Sequence, residues 1–141
     1  MRDDADFPRE ADTEVDYVAL ADFRHALRKF QEFSERRAAE CGLTPQQHQA
    51  LLAIRAAGAP AVTIGHVAER LVVKPHSASE LVDRLAALDL VERRVSPSDR
   101  RQALVSLTPK AAALLSQLSA THREELRRLR PLFTTLLARL T

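Results

Sequence analysis

Three residues, Val72-Val73-Lys74, separate two short amphipathic patterns in this 141-residue chain, and an alternating hairpin follows the second at once. That spacing constrains the fold more than any other feature. In the first pattern Thr63 caps a run with Ile64, Val67, Ala68 and Leu71 on one face; in the second, Pro75 opens a helix expected to bury Ala78, Leu81, Val82, Leu85 and Leu88. Apolar residues three and four apart form one helical stripe, so each helix has one face to bury. A link this short makes the pair a helix-turn-helix. The second helix keeps His76, Ser77, Ser79 and Glu80 on its other side near its N-terminus, with Asp83 and Arg84 a turn further on. Asp89 is expected in the left-handed conformation that ends helices and that glycine adopts most readily.

Strand-like LVERRV and ALVSL then flank a turn of Ser96, Pro97, Ser98, Asp99, Arg100 and Arg101, with Arg93 and Arg94 just before it. Like charges facing each other across a hairpin repel, so stability is a poor reason for four arginines there. The charge distribution offers a better one. Net charge is only +2, but seven of the 19 acids and two of the 21 bases lie in residues 1–16, which leaves 12 acids and 19 bases, about +7, in the remainder. A basic body favours polyanionic partners. A helix N-terminus with small polar side chains can approach base edges in a major groove. The hairpin would then reach the neighbouring minor groove, whose narrow width and negative potential favour arginine. Asp99, two residues before Arg101, is expected to hold its guanidinium by a charge-assisted hydrogen bond and so aim it.

The flanks are helical. From residue 15 to about 40, Ala19, Phe23, Ala26, Phe30 and Phe33 form a seam spaced 4, 3, 4, 3, suited either to the chain's own core or to a second copy. Gly42 ends that helix. Thr44-Pro45-Gln46-Gln47 starts the next with a capping box, and Gly58 stops it before a loop containing Pro60. Thr108-Pro109 caps another helix, expected to break at Pro131 before a short apolar one containing Leu132, Phe133, Leu136, Leu137 and Leu140. These segments organise as an acidic, flexible lead-in (1–14) and a single domain (15–141), in which helices 15–41 and 109–141 serve dimerisation around a winged helix-turn-helix at 44–108. The fold class is mainly α with a small β-hairpin wing.

The stretch Asp99 to Thr108 carries the pattern D-x-R-x5-L-T, which resembles the wing signature of MarR-type transcriptional regulators. LTPQQHQALLAI, VAERL and SELVDRLAALDLVERR are similar to that family's segments in the same order, and the likeness runs over about residues 17 to 130. The resemblance implies a homodimeric winged helix on a palindromic operator in double-stranded DNA, commonly a repressor released by a small-molecule or oxidant signal. It places Lys74, His76, Ser77 and Ser79 at the groove-facing start of the recognition helix. Arg101, with Arg100 beside it, becomes the minor-groove arginine and Asp99 its orienting partner. Arg84 either touches DNA or ties helix to wing. A pocket for a small aromatic or phenolic effector is expected near Phe30, His48, Leu52 and the start of the 109–130 helix. Two positions depart from the pattern, Val72 and Asp89, where the family often has glycine.

Other functions have less support. The sequence has no G-x-S-x-G, no glycine-rich phosphate loop and three glycines in all, so no enzyme and no cofactor is expected. Lone Cys41 cannot form an internal disulfide, and a reducing, cytoplasmic setting is the default. None of the five histidines pairs at i, i+4 spacing, so no metal site is expected. His25, Glu40, Cys41, His48 and His122 would have to converge for a metal-responsive regulator of this fold. The N-terminus has no apolar stretch of a secretory signal, and no run is long enough to span a membrane. The remaining alternative is a winged-helix protein–protein adaptor, which has no need of an aimed Arg101.

Overall fold

The computed structural model of the chain describes residues 16–141; the acidic lead-in expected at 1–14 lies outside them. Five helices and three strands follow in the order α1 (Tyr17–Glu40), α2 (Pro45–Ala56), β1 (Val62–Thr63), α3 (Ile64–Leu71), α4 (Pro75–Ala87), β2 (Val91–Val95), β3 (Ala103–Leu107) and α5 (Pro109–Leu140). The chain forms two compact units. Phe33–Arg123 makes one, and the described residues up to Glu32 with Glu124–Thr141 make the other.

Local chemistry explains the boundaries in Phe33–Arg123. Gly42 and Gly58 take positive φ after α1 and α2. Thr44 Oγ1 accepts the Gln47 N–H at 3.2 Å while Gln47 Oε1 accepts the Thr44 N–H at 3.0 Å, the capping box read from the sequence. Thr63 caps α3 by accepting the His66 N–H. The turn into α4 needs a left-handed residue, and Val72 supplies it at φ 55, ψ 49 with its side chain 90% exposed. Asp89 does the same after α4 at φ 59.

The antiparallel sheet runs in the order β1-β3-β2, with Val62 opposite Val105 and Val91 opposite Leu107. Strand β1 lay in what the sequence suggested was loop. Two residues are too few to show alternation, and pairing with β3 is what makes them a strand. Leu51, Val67, Val82, Leu85 and Val105 are fully buried at the centre of this unit. Each contributes about 1.5–3 kcal/mol on removal from water. Leu88, expected in the same core, is instead 43% exposed. It follows the last turn of α4, where the chain has already left the stripe.

In the other unit Phe23 meets Phe133 edge to face, ring centroids 5.6 Å apart. Ala19, Ala26 and Leu136 are also buried in this unit. Asp16 accepts the Ala19 N–H and receives the Arg139 guanidinium at 2.8 Å. That backbone hydrogen bond, more than the arginine, holds the Asp16 carboxyl below its ordinary range. The expected break at Pro131 does not occur: α5 runs through it to Leu140. Proline removes only its own N–H and crowds one carbonyl, a local penalty that leucine- and arginine-rich flanks outweigh. Tyr17, Val18, Leu20, Leu27, Leu126, Leu132 and Leu137 remain exposed in this unit, so most of the exposed large apolar side chains among the described residues are here. No helix among the described residues is long and apolar enough to cross a membrane.

Candidate nucleic-acid interface

Helix α4 buries Ala78, Leu81, Val82 and Leu85. At about 100° per residue the opposite, solvent-facing line carries His76, Glu80 and Asp83, with Ser77 and Arg84 on one flank and Ser79 on the other. Lys74 precedes the first turn with no side-chain cap bond, and Lys74, His76, Ser77 and Arg84 are all exposed. His76 Nε2 lies 3.2 Å from Glu80 Oε1, an i, i+4 pair.

The wing is attached to this helix by a contact the sequence did not reveal. Arg93 on β2 donates to Asp83 Oδ1 at 2.5 Å and to Ser79 Oγ at 3.2 Å. The helix-to-wing tie considered for Arg84 is therefore made by Arg93. Ser79, expected to face DNA, spends its hydroxyl partly on that tie. Nothing in the sequence separates Arg93 from Arg94 in this role; the register does, because β2 alternates and only one of the pair turns toward α4.

The wing tip is held by its own polar groups. Ser96 is buried; its N–H bonds the Gln102 carbonyl at 3.0 Å, and its hydroxyl lies 3.1 Å from that of Ser98. Asp99 Oδ1 accepts the Arg101 backbone N–H at 3.0 Å, and the Asp99 carbonyl accepts the Gln102 N–H. Asp99 was expected to grip the Arg101 guanidinium; it grips the backbone instead. A carboxylate two residues upstream reaches that N–H in a local turn more easily than it reaches the end of a long side chain. Arg100 and Arg101 are exposed, and their guanidinium groups have no partner among the described residues. His76, Ser79, Arg93 and Arg101 line one cleft of about 470 Å³ between α4 and the wing. Thr108 ties the wing's exit to the end of α4, its hydroxyl donating to the Asp89 carbonyl at 2.7 Å.

The residues expected around an effector are not gathered in one described cavity. Phe30 belongs to the other unit. Leu52 lines an open groove of about 320 Å³ with Gln49, Ala53, Arg70 and Leu71. His48 is buried, with its ring 5.1 Å from that of His122 and no partner for Nδ1 among the described residues. His122 Nδ1 bonds the Leu118 carbonyl at 2.6 Å, which requires the proton on that nitrogen, and Nε2 meets Ser34 Oγ at 2.7 Å. Burial first, and the His122 charge second, push the His48 pKa down. Cys41 is half-buried against the core. Among the described residues no three His, Cys, Asp or Glu side chains come together to hold a metal.

A helix-turn-helix followed by a small antiparallel sheet with an arginine-bearing hairpin defines the winged-helix class of fold. Within that class, residues 42–102 of this chain match the model of the MarR family. Wild-type MarR from E. coli is 25% identical with a TM-score of 0.66, the match covering 84% of this chain and 81% of that one. A phenylalanine-to-leucine variant of MepR from S. aureus, bound to an oligodeoxyribonucleotide, shares the fold at 19% identity and TM-score 0.68, covering 84% of this chain and 95% of that one. BpsR from Bordetella bronchiseptica, whose DNA binding is regulated by 6-hydroxynicotinic acid, shares it at 24% identity and TM-score 0.62, covering 82% and 86%. No curated protein is significantly similar to the chain. The family consists of transcription regulators, and no enzyme family is indicated.

Proposed function

We propose that the chain is a homodimeric, cytoplasmic transcriptional regulator that represses from a palindromic operator and is released by a small aromatic or phenolic effector. The observation that carries the reading is the wing tip. Arg100 and Arg101 stand exposed, without acidic partners among the described residues, on a turn braced by Asp99 and Ser96, while Arg93 is neutralised by Asp83. Cations left free on a braced turn suit phosphates and a narrow minor groove. In this reading 44–108 reads DNA, with Lys74 on a phosphate, His76, Ser77 and Ser79 at the groove floor or its edge, and Arg84 beside them. Helices 15–41 and 109–141 pair two copies, which would cover the apolar side chains exposed near both ends of the described chain. The effector class is supported by the aromatic acid that regulates BpsR. Within Phe33–Arg123, His48 and Leu52 remain the residues proposed to lie near its site.

The test is affinity for a duplex selected by the protein from a random-sequence library, measured across a salt series. Arg101→Ala should weaken binding markedly with the fold intact. Lys74→Ala should weaken all duplexes alike and reduce the salt slope by about one unit. Binding that is indifferent to salt and to Arg101 would refute the reading, as would a monomer by light scattering at micromolar concentration.

A further inference from the structure

We infer that Glu80 reads a cytosine in the major groove, its carboxylate accepting a hydrogen bond from the N4 amino group, and that His76 positions it. The inference rests on the proposed DNA-binding role of α4 and adds a base and a reader to it. The starting point is an electrostatic conflict. The solvent-facing line of α4 carries two carboxylates, Glu80 and Asp83, on a surface meant for a polyanion. Asp83 is accounted for, since Arg93 neutralises it. Glu80 has only the His76 ring, and the two side chains are 59% and 84% exposed. An anion left in that place opposes binding to every duplex unless it meets a donor there.

Major-groove edges offer two kinds of donor, adenine N6 and cytosine N4. Adenine places its N7 acceptor beside N6, which repels a carboxylate and suits an amide instead. Cytosine has no acceptor on its own groove edge, so it is the base a carboxylate selects. The geometry leaves an oxygen for the task. His76 Nε2 engages Oε1 at 3.2 Å, and Oε2 has no partner among the described residues. With its proton on Nε2, His76 restricts the rotamers of a flexible side chain and offsets part of its charge. A thymine at the same place presents O4, an acceptor, and turns the attraction into repulsion. Glu80 thereby contributes discrimination where simple charge counting assigns it only a penalty.

The experiment uses the full chain and a duplex that the wild type selects from a random-sequence library, beside a scrambled duplex of the same length. Replacing C·G pairs one at a time by T·A should expose one pair per half-site at which the wild type loses about ten- to a hundredfold in affinity. Glu80→Gln, whose amide both donates and accepts, should erase that preference for C over T. Glu80→Ala should bind the scrambled duplex more tightly and the selected one more weakly. His76→Ala should blunt the preference at the same pair, and His76→Gln, which can still donate to Glu80, should restore it. If Glu80→Ala tightens both duplexes equally, or Glu80→Gln leaves the profile unchanged, Glu80 is a solvated charge and the inference is overturned. If no sequence is selected at all, the reading of α4 as a sequence reader fails and this inference with it.

Discussion

Replacing Val72 by glycine should make the protein more stable, although it deletes a hydrophobic side chain. Val72 is left-handed at φ 55, ψ 49. That conformation costs an L-residue roughly 1–2 kcal/mol, and branching at Cβ aggravates it. Glycine removes the cost but returns about 0.5–1 kcal/mol through its greater freedom in the unfolded chain. Burial hardly enters, because the side chain is 90% exposed. A tenth of the usual value of a buried valine is about 0.2–0.3 kcal/mol. The turn's hydrogen bonds are backbone ones, Val72 N–H to the Glu69 carbonyl and Val73 N–H to the Ala68 carbonyl, and survive the change. The net gain is about 0.5–1 kcal/mol, a rise of roughly 2–5 °C in Tm for a domain of this size. Urea and thermal unfolding at one fixed protein concentration measure it, since association would otherwise move the midpoint. Asp89→Gly is the comparison, and its gain should be smaller because aspartate tolerates the left-handed region better. A Val72→Gly protein less stable than the parent would refute the strain argument and imply that the exposed valine packs on something.

Asp99→Ala should weaken operator binding even though it removes an anion near DNA, because it releases the Arg101 backbone N–H, and Asp99→Asn should retain binding through the same acceptor oxygen; tighter binding by the alanine variant in a gel shift would show the wing to be only a positive patch. For His48 the folded pKa lies below the ordinary 6.5, so the unfolded chain takes up the proton first as pH falls. Stability should therefore decline from about pH 6.5 downward through the folded pKa. His48→Leu should flatten that decline in urea midpoints compared near pH 5 and near pH 7.5, and an unchanged slope would assign it to other groups. Pro131→Ala, at an exposed position inside α5, should raise stability by about 1–3 kcal/mol in the same assay, and a loss would mean the helix needs its proline.

What was legible in the sequence was whatever is decided within four residues. Thr44, Pro45 and Gln47 announce a helix start because capping uses only neighbours, and they form that cap. The alternation of VERRV and ALVSL finds its hairpin for the same reason. Residue choices that bend a rule were also readable: Asp89 was expected to be left-handed and is. The failures share a cause. Strand β1 exists only through β3, with Val62 paired to Val105 and Thr63 to Leu104. Arg93 and Asp83 are ten residues apart and meet only once the hairpin folds back on α4. Local propensity alone makes Pro131 a breaker, and the helix continues regardless. The His76–Glu80 pair is legible at i, i+4 spacing, because both residues lie on one face of a single helix.

The four arginines of the hairpin are thus unequal, and their inequality gives the surface its sense. Were all four free, the wing would be a patch of positive charge that grips any duplex and is attached to the rest only through its strands. Arg93 instead bonds Asp83 and Ser79, which does two things at once. It ties hairpin to helix, so that the two elements proposed to enter the minor and major grooves would hold one separation. It also withdraws a carboxylate from the α4 face, leaving Glu80 as the one exposed anion there without an arginine partner. In the proposed reading, attraction without sequence would fall to Arg100 and Arg101 at the tip and to Lys74 at the helix start. In the same reading, discrimination would fall to the line from His76 to Glu80. Separating the two demands a rigid joint between them, and the Arg93 contact is where the structure provides it.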